Sequence, residues 1–146
     1  REGTVEKVYW AVVEGAVLRP ADTLENWLIK DRDAGRVEVV APHTPGARLA
    51  RLHYQRRQQH DRLTWLEVRP QTGRSHQLRV QLAQQGWPIY GDGKYGSSHT
   101  FGRAIALHAR SLTFRHPVRQ EPITLTAALP PAWRERFAPL IREVLP

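Results

Sequence analysis

The stretch Arg69-Pro70-Gln71-Thr72-Gly73-Arg74-Ser75-His76-Gln77-Leu78-Arg79-Val80 marks a change of texture in the chain. Before it, apolar and polar residues alternate as half-buried strands require; after it, apolar residues recur at helical spacing. Pro70 to Arg74 reads as a tight loop feeding a helix from about Ser75 to Gln85. Ser75 is the expected N-cap, Leu78 and Leu82 stack one turn apart, and Gly86 suits the C′ position. Arg74, His76 and Arg79 load the start of that helix with positive charge. Free backbone N–H groups and positive potential favour an anion there, either a phosphate or a carboxylate. An ordinary surface helix accounts for these residues equally well when they are taken alone.

Upstream of this stretch, Val5 to Val13 is rich in β-branched and aromatic residues, with Val8, Trp10 and Val12 on one face, and reads as a strand ending at Gly15. Two short strands, Trp27 to Lys30 and Arg36 to Val40, flank the turn Asp31-Arg32-Asp33-Ala34-Gly35. Leu49 to Arg57 alternates again with Ala50, Leu52 and Tyr54 inward. Leu63 to Arg69 follows a polar turn. Downstream lie a glycine-rich loop from Gly91 to Gly102 and short elements at Ile105 to Ala109, Ser111 to His116 and Pro122 to Thr126. The last segment, Trp133 to Val144, puts Trp133, Phe137, Leu140, Ile141 and Val144 on one helical stripe that Pro139 disturbs. Hairpin-spaced strands with few helices give an α+β domain on a mainly antiparallel, mixed sheet with flanking helices.

Composition narrows the chemistry. A chain of 146 residues fits one domain with one core. It has no cysteine, which excludes a disulfide framework and thiolate zinc sites. Its histidines (His43, His53, His60, His76, His99, His108, His116) show no paired ligand spacing, so no metal is expected. Gly91-Asp92-Gly93-Lys94 lacks the spacing of a phosphate-binding P-loop, and no G-x-S-x-G element is present. No apolar run is as long as a membrane span, and the expected compartment is the cytoplasm. The formal net charge of +8 points to a polyanionic partner. All of the 22 cations except Lys7, Lys30 and Lys94 are arginine, whose planar fork suits phosphate and bases; genomic base composition also favours arginine.

Four collinear segments carry a resemblance. Thr72-Gly73-Arg74-Ser75-His76-Gln77-Leu78-Arg79 and Gly86-Trp87-Pro88-Ile89-Tyr90-Gly91-Asp92-Gly93-Lys94-Tyr95-Gly96 resemble the C-terminal signature of the RluA-type pseudouridine synthase family. Lys7-Val8-Tyr9-Trp10-Ala11-Val12-Val13-Glu14-Gly15 is similar to that family's K-x-Y-x-A-x-V-x-G strand. Leu107-His108-Ala109-Arg110-Ser111-Leu112 with His116-Pro117 is similar to its L-H-A…L…H-P ending. The likeness runs from about Lys7 to Trp133. It implies a pseudouridine synthase fold and a cofactor-free isomerase that turns uridine into pseudouridine in structured RNA, ribosomal RNA or tRNA. It assigns base stacking to Tyr9 and pairing with the catalytic carboxylate to Arg79, with Arg74, His76 and Leu78 at the substrate. Such a reaction breaks a C–N bond, turns the base and makes a C–C bond in a dry slot, where an aromatic face grips without fixing one hydrogen-bond pattern. A buried carboxylate stays ionised beside an arginine, which keeps its charge.

The chain departs from the family where it matters most. The family's catalytic carboxylate lies in an R-L-D motif upstream of the K-x-Y strand, and Arg-Leu-Asp occurs nowhere in this chain. His60-Asp61-Arg62-Leu63 holds the letters in another order and reads as a solvated turn. With no methionine and a start at Arg1, the expectation is a piece of a longer protein, residues 1–146 forming a single domain, the C-terminal portion of the catalytic domain. Arg79 is then expected to lack a buried carboxylate partner, and Asp92 and Tyr95 to shape their loop. Leu52 stands where the family is expected to carry threonine, a matter of packing. Two rivals remain: a non-catalytic RNA-binding remnant, and a basic structural protein of a ribonucleoprotein with no pocket joining Tyr9 to Arg79. A monomer is favoured.

Overall fold

A computed structural model describes residues 5–146. Alternating and β-branched segments form seven strands: β1 (Val5–Glu14), β2 (Ala21–Asp31), β3 (Arg36–Val40), β4 (Arg48–His60), β5 (Leu63–Pro70), β6 (Leu107–Arg115) and β7 (Pro122–Thr126). They make one sheet in the order β3-β2-β4-β5-β1-β6-β7. Every pairing between these strands is antiparallel, so the mainly antiparallel sheet that was expected holds no parallel pair of strands. Three of the six pairings, β2–β3, β4–β5 and β6–β7, are hairpins, for which antiparallel neighbours need only a short turn. The β4–β5 hairpin turns at Asp61 and Arg62, both exposed and both with positive φ (55° and 67°), the backbone of a two-residue hairpin turn.

Central position sets burial. Trp10, Ala11, Val12 and Val13 of β1 and Thr64, Trp65, Leu66 and Val68 of β5 are buried, so these strands are covered on both faces. Register shows which elements cover each face. Tyr9 pairs with Val68, and Val68 pairs with Tyr54. Tyr54, Leu52 and Ala50 then follow at two-residue steps on one face. Helix α1 (Gln77–Gln84) lies over that face, where Gln81 donates to the Leu24 carbonyl, the Asn26 side chain and the Ala50 carbonyl. Trp10 and its partner His108 point to the opposite face, where Trp133 of helix α2 (Pro131–Phe137) meets His108.

Two helical expectations are corrected. Helix α1 begins at Gln77, and its N-cap is His76 rather than Ser75. The C-terminal stripe does not form one helix: α2 stops at Phe137, and Arg142–Val144 makes a separate 3₁₀ turn. Pro139 has no N–H to continue the ladder. Trp133, Phe137, Leu140 and Ile141 are nevertheless all buried, as their spacing indicates.

Candidate functional site

The loop before α1 is stitched to β4 by one side chain. Gln77 is buried; its Oε1 accepts hydrogen bonds from Thr72 Oγ1 at 2.8 Å and the Arg74 N–H at 3.0 Å. Its Nε2 donates to the Arg51 carbonyl at 3.0 Å, while the Arg51 N–H donates to Thr72 Oγ1 at 2.9 Å. Gln77 thus pins the preceding loop to β4, and the helix starts at Gln77 without a side-chain cap. Arg74 donates from Nε to the Leu49 carbonyl at 2.9 Å, which ties it to the same strand.

From α1 the expected site residues diverge. Leu78 is buried in the main core cluster with Leu52, Tyr54 and Val68, the cluster against which Tyr9 also packs. Arg79 lies about 200° round the helix from Gln81, hence on the side away from the sheet. Its Nε and Nη2 donate to Asp92 Oδ2 and Oδ1, each at 2.8 Å, and the Tyr95 ring centroid lies 5.0 Å from the guanidinium carbon. Asp92 is only 1% exposed. This overturns the expectation that Arg79 lacks a buried carboxylate partner. The two hydrogen bonds to Asp92 raise the Arg79 pKa above its ordinary value, outweighing burial.

The Asp92 loop also organises His76. The Tyr95 hydroxyl accepts the Val37 N–H at 2.9 Å and lies 2.8 Å from His76 Nδ1. With the Tyr95 oxygen already accepting from Val37, its O–H is available to donate to Nδ1, an arrangement that suits a neutral His76 ring. Burial, then the charges of Arg79 and Lys94, lowers the His76 pKa and favours that form. Lys94 Nζ donates to the Gly35 carbonyl at 2.7 Å, so the loop clasps the β2–β3 hairpin. Gly91 is required here: its φ is +89°, and a Cβ would sit 2.8 Å from Phe101 Cβ and 2.9 Å from the Ala104 carbonyl.

Tyr9 occupies a different setting. It is half-buried on β1 and lines a groove of about 330 Å³ with Lys7, Ala109, Leu112, Leu125 and Arg110. The groove lies on the same face of the sheet as α1, on the β6–β7 side. Neither Arg74, His76, Leu78 nor Arg79 lines it. The structure therefore brings His76 and Arg79 together around Tyr95, joins Tyr9 to Leu78 through the core, and leaves Arg74 bound to β4.

Asp92, Tyr95 and Gln77 are the residues whose part the sequence reading missed. For Asp92 the one local signal was a carboxylate between Gly91 and Gly93, which does not name Arg79 as its partner. Among the described residues no group of three or more His, Asp or Glu is placed to hold a metal ion, and no helix is long and apolar enough to cross a membrane.

The fold and the motifs have counterparts in known proteins. An uncharacterized RNA pseudouridine synthase of Synechocystis sp. is 33% identical over all of this chain and 45% of its own length. The ribosomal large subunit pseudouridine synthase D of Xanthomonas campestris is 33% identical over 86% of this chain and 41% of its own. The chain thus spans less than half the length of these relatives. The solved structure of human RNA pseudouridylate synthase domain containing 1 shares the fold with a TM-score of 0.71, at 24% identity, over 87% of this chain and 56% of that one. Residues 1–84, which hold the Tyr9 strand, the Gln77 loop and Arg79, match the family described as RNA pseudouridylate synthase, and the chain belongs to that family.

Proposed function

We propose that this chain serves the isomerisation of uridine to pseudouridine in structured RNA, with Tyr9 stacking on the target base and Arg79 pairing with the catalytic carboxylate. Ribosomal RNA is the first substrate to test, since relatives such as the Xanthomonas protein carry a ribosomal name. The observation that carries the reading is that Tyr9 and α1, the helix of Arg79, lie over one face of one sheet and join the same core cluster. Tyr9 offers an aromatic surface in an apolar groove, and Lys7 at its edge suits the phosphates beside a base. Arg79 uses two of its five N–H groups on Asp92. The remaining three can bind a second carboxylate without releasing the first. Asp92 itself is too enclosed to reach a nucleoside.

Release of tritium from RNA labelled at uridine C5 tests this, because C5 loses its hydrogen when the new C–C bond forms. The chain alone is expected to bind RNA without releasing tritium, with affinity falling steeply between about 50 and 200 mM salt as phosphate counterions return. Supplying a segment with the family's Arg-Leu-Asp motif should give release that Arg79→Ala and Tyr9→Ala each reduce far more than they reduce binding. Release by the chain alone, or release insensitive to both substitutions, would overturn the assignment. Binding with no release in either arm would identify an RNA-binding module instead.

A further inference from the structure

We infer that Asp92 is the positioning residue of Arg79, fixing it relative to the strand that carries Tyr9, with Tyr95 as a second support; the inference rests on the role proposed for Arg79. Asp92 meets both Nε and Nη2 in a two-point contact, which sets the plane of the guanidinium as well as its distance. Stacked against it, the Tyr95 ring restricts the remaining rotation.

Asp92 is itself anchored to β1. The Asp92 N–H donates to the Ile89 carbonyl at 2.9 Å, and its own carbonyl accepts from the Ser97 N–H at 3.0 Å. Ile89 and Tyr90 lie in the core, where the Tyr90 N–H donates to the Val12 carbonyl at 2.8 Å. A short, hydrogen-bonded path thus runs from Val12, three residues beyond Tyr9 on the same strand, through Tyr90 and Asp92 to Arg79. Without it, a long arginine side chain on the outer side of a two-turn helix would sample several rotamers, each aiming its free N–H groups elsewhere. Asp92 is not a second nucleophile, because both its oxygens are occupied and the side chain is sealed from solvent.

The test is a double-mutant cycle in the protein supplied with the Arg-Leu-Asp segment. Asp92→Asn keeps the shape but removes the charge and one of the two acceptors. It is expected to lower kcat by on the order of 10- to 100-fold, the scale of a misplaced catalytic contact, while RNA affinity stays within about 3-fold. In the Arg79→Ala background the same change should lower kcat no further, since a residue acting through Arg79 has nothing left to position. An equal fold-loss in both backgrounds would show a purely structural role and overturn the inference, as would an unchanged kcat in Asp92→Asn alone. If Arg79→Ala leaves kcat unaltered, the proposed role of Arg79 falls and the inference falls with it. A nitrogen-detected spectrum of the Arg79 side chain needs no activity and can be recorded on this chain. Restricted guanidinium rotation that Asp92→Asn releases supports positioning; free rotation in the unsubstituted chain overturns it.

Discussion

The two ends of the sheet are built on opposite terms. Under α1, strands β2 to β5 place Leu24, Leu28, Val37, Ala50, Leu52 and Tyr54 out of water. Gln77, the Tyr95 hydroxyl and Asp92, carried into that region, are engaged by partners within the chain. On the far side of β1, no residue of β6 or β7 is fully buried, and Leu125 stands 57% exposed. The difference separates two kinds of site component. Arg79, proposed to meet a carboxylate at a set angle, sits in the closed half, where its two hydrogen bonds to Asp92 restrain it. Tyr9, proposed to accept a base, lies at the boundary of the open half, with one side packed on the core and the other facing a groove.

Paired truncations test that contrast most directly. Leu52→Ala removes a side chain with no solvent exposure and should cost about 2–5 kcal/mol of stability, whereas Leu125→Ala should fall within about 0.5 kcal/mol of the parent in denaturant melts. Equal losses at the two positions would erase the distinction between the halves. The next effect is electrostatic. Arg79→Ala leaves Asp92 buried without a counter-charge and should destabilise by about 3 kcal/mol, the low end for breaking a buried pair, because Arg79 keeps part of its side chain in water. Adding Asp92→Asn should recover part of that loss. A double variant less stable than Arg79→Ala would mean that Asp92 holds the loop by its charge independently of Arg79.

The closed half was legible where alternation is strong. Ala50, Leu52 and Tyr54 announce an inward face, and Val8, Trp10 and Val12 another. Strand β2 begins six residues before the expected Trp27, because Ala21 to Asn26 is largely polar and becomes a strand by pairing with β4 rather than by its own pattern. The start of α1 differs from the expected Ser75 for a similar reason: the buried Gln77 amide ties the preceding loop to β4, and nothing local to Ser75 reveals that contact. The Arg79–Asp92 pair was illegible, since the two lie 13 positions apart with a helix end, Gly86 and Gly91 between them, and no periodicity spans that distance. Resemblance named Tyr9 and Arg79, but only the strand register shows that Tyr9 faces the side on which α1 lies.

The smallest expected effect concerns His76, whose backbone φ of 53° is left-handed and whose ring is held by Tyr95. Burial, followed by the charges of Arg79 and Lys94, lowers its pKa from the ordinary 6.5, so the folded chain resists protonation there more than the unfolded chain does. Stability from this group is therefore full above pH 6.5 and is lost as the pH falls through that value toward the lowered folded one. His76→Asn isolates the effect, because asparagine tolerates the left-handed conformation and does not titrate. Melting temperatures of the two proteins should run parallel above about pH 7.5 and diverge toward about pH 5, the parent falling more steeply. The other histidines contribute equally to both curves and cancel in the difference. Identical slopes would show that His76 is as easily protonated in the folded state as in the unfolded one. Burial and the neighbouring Arg79 and Lys94 charges would then give the neutral ring no advantage in the folded chain.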